Sequence, residues 1–190
     1  MASTDTPVLN ARPRAVWAAT IAVAAILLAF TVLLPMLGNN SSGPKLEAGA
    51  PFNVQDTMTF VPADGWALTS EDGSLFTIFS KGGASLIVLP AVDSTDTLEA
   101  SAQTAIDGLA ADPATTWVLG DPQEFTTDAG VPGIVVVGHS ENDFSAFYVI
   151  SNGTRSVTLD ATGPDSTFST ISGELDQMAA SVVILEGTAS

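Results

Sequence analysis

Residues 144–161 read FSAFYVISNGTRSVTLDA, and this stretch gives the clearest indication of the fold. Asn152-Gly153 favours the positive φ angles of a two-residue type I′ turn, so the stretch predicts a β-hairpin. Its first arm, 144–150, is apolar on both faces, as expected of a central strand covered by helices. Its second arm alternates, which predicts one buried and one polar face. The alternating residues are Val157, Leu159 and Ala161 against Ser156, Thr158 and Asp160.

Short runs of β-branched and aromatic residues predict further strands on both sides of a helical stretch. MTFV at 58–61 leads through a Pro/Gly turn to Trp66, which we expect in the core. LFTIF at 75–79 and SLIVL at 85–89 flank Lys81-Gly82-Gly83 and predict a second hairpin. The remaining strands are expected at 117–119, 124–127, 133–138 and 182–185.

Two stretches have helical periodicity. Asp93 or Ser94 can cap the first helix, of about 16 residues, and Asp112-Pro113 ends it. Gly163-Pro164-Asp165 begins the second. The apolar positions are Leu98, Ala102, Ala105, Ile106 and Leu109 in the first helix and Phe168, Ile171, Leu175 and Met178 in the second. Strands joined by hairpins and interrupted by two helices predict an α+β fold, a sandwich of helices around one antiparallel sheet.

A long uncharged segment precedes this domain. Residues 15–37, AVWAATIAVAAILLAFTVLLPML, would span roughly 34 Å as a helix, enough for a hydrocarbon core of about 30 Å. Arg12 and Arg14 precede the segment, and no base follows it until Lys45, so the positive-inside rule places the N-terminus in the cytoplasm. We therefore expect a single-pass plasma-membrane protein with its C-terminal domain outside the cytoplasm.

This topology divides the chain into a cytoplasmic tail at 1–14, a transmembrane helix at 15–37, a flexible linker at 38–51, a folded domain at 52–186 and a frayed tail at 187–190. A cleaved signal peptide is the alternative, since a basic region precedes the apolar run. The run is longer than an ordinary signal sequence of about 7–15 apolar residues, and no small-residue cleavage site follows it.

Small residues form a seam along the predicted membrane helix. Because alanines let another helix approach closely in lipid, the seam predicts an interface with an integral membrane protein. The alternative is that alanine is simply common in this chain. The seam residues are Ala15, Ala18, Ala22, Ala25 and Ala29.

The part beyond the anchor is strongly acidic, with three bases against twenty acids and a net charge of −17. This charge repels phosphate backbones and anionic headgroups, so we exclude nucleic acid as a partner. The absence of cysteine excludes disulfides, a lipid-modified cysteine and cysteine-metal sites. The Lys-poor composition, rich in Ala, Gly, Thr and Asp, resembles that of high-GC actinobacteria.

Catalytic chemistry is sparse. His139, the single histidine, precedes Ser140, but neighbours at the end of a strand point to opposite faces, and the motif lacks the second glycine of a nucleophile elbow. We expect a polar hairpin loop there instead. Acidic clusters at 71–73, 93–96 and 141–143 match no calcium-loop spacing, and no phosphate-binding loop is present. The sequence therefore predicts no catalytic residue, no metal and no cofactor.

Four short motifs carry a resemblance to a known fold: PADGW at 62–66, STDTL at 94–98, GVPG at 130–133 and GPD at 163–165. In this order, residues 54–185 resemble the PsbP-like fold, including the LpqN-type envelope proteins of actinobacteria. Members of this fold are mostly non-enzymatic binding or assembly factors, and one anchored example is a trehalose monomycolate transport factor.

The resemblance implies a non-catalytic, membrane-anchored module that docks on a cell-envelope assembly or transport complex. The alternative is a domain that holds a lipid or sugar component of the envelope between sheet and helices.

Overall fold

The structure, a computed structural model, describes residues 46–186 except 48, 73–74 and 112–114. The predicted anchor with its alanine seam, the N-terminal tail and the tail at 187–190 lie outside these residues. Neither helix of the described part is long and apolar enough to cross a bilayer. The strands are β1 Phe52–Val54, β2 Met58–Phe60, β3 Ala67–Asp72, β4 Phe76–Lys81, β5 Ala84–Val88, β6 Val92–Asp93, β7 Val118–Leu119, β8 Gln123–Thr126, β9 Pro132–His139, β10 Asp143–Ser151, β11 Arg155–Pro164 and β12 Val183–Ile184. The helices are α1 Leu98–Ala110 and α2 Asp165–Ala180.

Nine strands form one large antiparallel sheet in the order β3-β4-β5-β11-β10-β9-β7, with β6 beside β11 and β8 beside β9. This confirms the predicted mixed fold with an antiparallel sheet. The prediction of a single sheet is wrong, because β1, β2 and β12 form a second, three-stranded sheet. Val183 pairs with Thr59 across most of the domain, and no local pattern encodes such a distant pairing.

The hairpin predicted from residues 144–161 is present as β10 and β11, but its turn differs from the expected one. Ser151 pairs with Ser156, and only Gly153 of the Asn-Gly pair has a positive φ, of 87°. The Asn152 side-chain oxygen instead accepts hydrogen bonds from the backbone N–H groups of Thr154 at 3.1 Å and of Arg155 at 2.9 Å. This asparagine turn spans the four residues 152–155 between the paired serines, and Asn152 lacks the positive φ of a type I′ turn, so the prediction of that turn at Asn152-Gly153 is wrong.

The predicted polar face of β11 is also wrong at one position. Val157, Leu159 and Ala161 are buried as expected, but Asp160 between them is only 3% exposed. The reason is that β11 lies inside the sheet, between β5 and β10, so both of its faces are covered.

Helix α1 begins later than predicted. Thr97 is its N-cap and accepts a hydrogen bond from the Ala100 N–H at 3.2 Å. Asp93 lies in β6 opposite Arg155, and therefore neither Asp93 nor Ser94 caps the helix. The helix has 13 residues, and its predicted stop at 112–113 lies outside the described residues.

The two helices pack on opposite faces of the large sheet. Successive residues of a strand point to opposite sides, so the neighbours of one strand show which helix covers each face. In β9, Ile134 and Val136 pack with Ala102 of α1, whereas Val135 and Val137 pack against the core that includes α2. We call these sides the α1 face and the α2 face. The α2 face carries the main core, in which Ile171, Leu175 and Met178 of the predicted helix stripe are buried.

Candidate functional site

The histidine and serine considered as a hydrolase pair have different partners. His139 Nδ1 lies 2.5 Å from Asp165 Oδ1 at the start of α2, and its ring packs edge-on against Phe168. Ser140 Oγ accepts from the Asp143 N–H at 3.0 Å and donates to the Asp143 carbonyl at 3.1 Å. The serine thus stabilises the β9–β10 hairpin loop, in agreement with the polar hairpin loop that the sequence predicts there.

The acidic clusters do not converge. In the described ranges, no three His, Asp or Glu side chains lie close enough together to hold a metal ion. Asp93 faces Arg155, with 3.6 Å between its Oδ1 and the guanidinium Nε. The backbone of Asp143 is bonded to Ser140 in the hairpin loop described above.

One of the two basic residues in the described part, Lys81 of β4, is held by three oxygen atoms. Its Nζ lies 2.6 and 2.8 Å from the two Glu174 carboxylate oxygens and 2.7 Å from the Asp64 carbonyl. Trp66 Nε1 donates to the same Glu174 carboxylate at 2.9 Å. The PADGW turn is therefore tied to α2, which gives this motif a structural role.

The other basic residue, Arg155 of β11, joins three segments. Its guanidinium donates from Nη1 to the Leu185 carbonyl and from Nη2 to the Ala91 carbonyl at 2.8 Å. Asp93 approaches its Nε. The side chain thus fixes the C-terminal segment against the loop that follows β5.

The exterior of the described domain consequently has an excess of acidic side chains. Lys81 and Arg155 are its only lysine and arginine, and both are bonded inside the fold. Carboxylates such as Glu99, Asp107 and Glu124 are exposed. A surface with this charge attracts basic partners and repels anionic ones.

A row of hydroxyl side chains crosses the α1 face. The register places Ser145 opposite Thr162, Thr162 opposite Ser85, and Ser85 opposite Ser80 on four neighbouring strands. Directly paired residues share one face of a sheet. Ser145 also pairs with Gly138, which lies on the same side of β9 as Val136, so these four residues belong to the α1 face. We call Ser80, Ser85, Thr162 and Ser145 the hydroxyl row.

The row is deepest at Ser145, which is fully buried, and more accessible at Ser80. Thr162 and Ser85 between them are each 8% exposed. Strands lie about 4.8 Å apart, so the row extends over about 14 Å.

Three buried polar atoms on this face have no hydrogen-bond partner in the described part of the chain: Ser145 Oγ, Asp160 Oδ1 and Trp117 Nε1. Asp160 precedes Thr162 by two residues on β11, so it lies on the same α1 face as the hydroxyl row. Trp117 lies against Gly138, since a Cβ added at this glycine would stand 3.4 Å from the indole Cε3. Burial raises the pKa of Asp160 to about 7.

The sequence alone does not reveal the hydroxyl row, because its four members come from strands far apart in the chain and meet only through register. One signal is present in the sequence. Asp160 is the one carboxylate of the central strand β11 and stands among the apolar and hydroxyl-bearing residues of 156–162. The predicted membrane-helix interface lies outside the described residues.

No protein-family model and no curated protein matches this sequence. Two solved structures share its fold. The solution structure of cyanobacterial PsbP (CyanoP) from Synechocystis sp. PCC 6803 is 17% identical, with a TM-score of 0.53, covering 78% of this chain and 99% of that one. The crystal structure of LpqN, involved in cell envelope biogenesis of Mycobacterium tuberculosis, is 16% identical, with a TM-score of 0.50, covering 74% of this chain and 87% of that one. The fold is therefore PsbP-like and resembles LpqN, as the motifs indicate.

Proposed function

We propose that this protein is a non-catalytic, membrane-anchored module of the cell envelope that docks on an assembly or transport complex, with mycolate or trehalose monomycolate export as the process that the resemblance suggests. LpqN, whose fold it shares, is involved in cell envelope biogenesis. The observation that carries the proposal is the acidic exterior of the described domain. Its lysine and its arginine are both bonded within the fold, so they do not offset the exposed carboxylates. Such a surface suits a membrane protein with a basic outer loop.

Crosslinking in native cells tests the docking proposal. We expect a membrane-protein partner that co-purifies in mild detergent and dissociates as salt rises, because exposed charges are screened. Glu99→Lys combined with Asp107→Lys on the exposed side of α1 should reduce the yield of partner. A yield that depends on neither salt nor these charges would contradict docking through the acidic surface.

The predicted anchor supplies a second contact in this proposal. Ala22→Leu and Ala25→Leu should reduce co-purification, because larger side chains keep another membrane helix at a distance. Ala24→Leu on a different face is the matched control. Equal loss from all three variants would indicate damage to insertion, and no loss from any of them would leave residues 15–37 as a plain anchor.

The orientation is tested separately. A protease added to intact spheroplasts should digest the domain, because Arg12 and Arg14 hold the N-terminus in the cytoplasm. Protection of a C-terminal tag would reverse the proposed topology.

The second candidate is a domain that binds a lipid or sugar component of the envelope. The unpartnered polar atoms beside the hydroxyl row favour it, since a ligand would supply their missing hydrogen bonds. Mass spectrometry of extracts from the purified protein tests this function. A co-purifying envelope component supports it, and a ligand-free protein that exchanges none from membranes contradicts it.

A further inference from the structure

Buried polar atoms without partners are rare in folded proteins, and each costs about 1–3 kcal/mol. In the described part, Ser145, Asp160 and Trp117 each contribute one such atom on the α1 face. Ser145 pairs with Thr162, which follows Asp160 by two residues on the adjacent strand β11. Trp117 lies against Gly138, and Gly138 pairs with Ser145 from the other side. Three unmet requirements in one neighbourhood indicate that this face is built around an external group.

The charges around this neighbourhood exclude an anionic group. Lys81 and Arg155, the two cations of the described part, share the opposite side of the sheet, because Lys81 pairs with Ala84, and Arg155 lies two residues before Val157. Both are held there by their own partners. A phosphate or carboxylate bound at the hydroxyl row would thus meet only hydroxyls, an indole N–H and a carboxyl group.

A cationic group also fits poorly. Asp160 is the single carboxyl side chain among the residues that carry the unpartnered atoms. Its sheet neighbours on both adjacent strands are apolar, Phe147 and Ile87. This environment favours the uncharged carboxyl, which is a hydrogen-bond donor as well as an acceptor.

What remains is a neutral ligand with many donors and acceptors. Hydroxyl groups both donate and accept, and so complement the serines, the threonine and the carboxyl of this face. The Trp117 ring is partly exposed and adds an aromatic surface at the deep end of the row. Ligand sites commonly combine apolar or aromatic walls with a few placed polar groups.

We infer that the hydroxyl row, with Asp160 and Trp117, is a binding site for a neutral carbohydrate or polyol. The inference rests on the second proposed function and narrows it from a lipid or a sugar to the sugar class. At about 14 Å, the row is long enough for more than one sugar ring.

Calorimetric titration of the full chain tests the site, in a detergent that has no sugar headgroup. Glucose, glucosamine and glucose 6-phosphate share one ring and differ in charge, and maltose adds a second ring. Near pH 6, we expect saturable binding of glucose, binding of maltose that is at least as tight, and at least tenfold weaker binding of both charged sugars. Tightest binding of glucosamine would identify a cation site and overturn the inference, as would the absence of saturable binding for all four probes.

Variants locate the site. Ser145→Ala and Asp160→Leu should each weaken maltose binding at least tenfold, and Trp117→Phe, which removes only the indole N–H and the second ring, should weaken it several-fold. Thr77→Val is the matched control, because the Thr77 hydroxyl is equally buried and unpartnered but pairs with Val88 on the α2 face. Equal loss in Thr77→Val would assign the effect to stability and contradict the site.

These results separate the inference from the broader function. If maltose does not bind but an envelope lipid co-purifies, the protein is a ligand-binding module and the sugar class is wrong. If neither occurs, the ligand-binding function fails together with the inference.

Discussion

The two faces of the large sheet treat their polar groups differently. On the α2 face, Glu174 accepts hydrogen bonds from Trp66 and Lys81, so the polar groups at the rim of the core are satisfied. On the α1 face, Ser145 and Asp160 are more deeply buried than Glu174, yet each has an unpartnered oxygen in the described part. The α2 face is organised for stability, whereas the α1 face retains hydrogen-bonding capacity that the described fold does not use.

Two residues of the α2 face depart from this pattern, because Arg155 Nε and Thr77 Oγ1 are buried without a hydrogen-bond partner in the described ranges. Thr77 is fully buried and its Oγ1 has no partner in the described ranges. It pairs with Val88, and Val88 pairs with Leu159, so its neighbours on the β5 and β11 side are apolar. A single unpartnered hydroxyl can therefore be tolerated in a core, whereas the α1 face has three unpartnered polar atoms in one neighbourhood.

The largest expected effect concerns the α2 face. Leu159→Ala should lower the free energy of unfolding by about 4 kcal/mol, because it removes a fully buried side chain and leaves a cavity in the main core. Urea denaturation measures this loss. Asp160→Leu, one residue along but on the α1 face, is the contrast, since it removes an unpaired buried carboxyl and should cost far less or stabilise. Similar losses from both variants would show that the faces do not differ.

The next effect is the pH dependence contributed by Asp160. Its pKa rises from the ordinary value of 3.8 to about 7, because burial disfavours the charged form. Between these pH values the native state binds more protons than the unfolded state, so stability falls as pH rises. The contribution is fully present below about pH 4 and lost above about pH 7, amounting to about 4 kcal/mol.

Asp160→Asn isolates this effect, because it keeps the side-chain shape without titrating. Chemical denaturation from pH 4 to 8 should show the decline in the wild type and a flatter profile in the variant. Parallel profiles for the two proteins would mean that the carboxyl is solvated, and would remove Asp160 from the group of buried, unpartnered side chains.

A smaller effect is expected at the rim of the α2 face. Glu174→Gln should destabilise by about 1 kcal/mol, because it removes the charge of an ion pair with Lys81 whose side chains are 27% and 30% exposed and so partly screened. A double-mutant cycle with Lys81→Met measures the coupling directly. Glu99→Gln on the exposed side of α1 is the control and should change stability by less than about 0.5 kcal/mol. Zero coupling would show that the ion pair between Glu174 and Lys81 does not contribute to stability.

Local patterns in the sequence predict the elements well and the surroundings of individual residues less well. The β10–β11 arms, the α2 stripe and the buried Trp66 follow from alternation, helical spacing and turn chemistry, and the structure confirms them. The second sheet and the burial of Asp160 depend on which strands become neighbours, and this information is distributed over the whole chain. The hydroxyl row is of the same kind, since Ser80 and Ser145 share a face only after four strands have paired.

The smallest expected effect is the difference in stability between two serine-to-alanine variants. It tests whether a buried hydroxyl without a hydrogen-bond partner contributes to stability. Ser181 Oγ accepts from the Val61 N–H at 2.8 Å and donates to the Met178 carbonyl at 2.7 Å, so Ser181→Ala should cost about 1 kcal/mol. Ser145→Ala removes a hydroxyl with no such bonds and should be neutral or stabilise by up to about 1 kcal/mol, because an unsatisfied buried group disappears. Thermal unfolding of both variants without ligand gives the difference. If Ser145→Ala costs as much as Ser181→Ala, its hydroxyl is already bonded in the free protein, and the hydroxyl row has no unused capacity to offer a sugar.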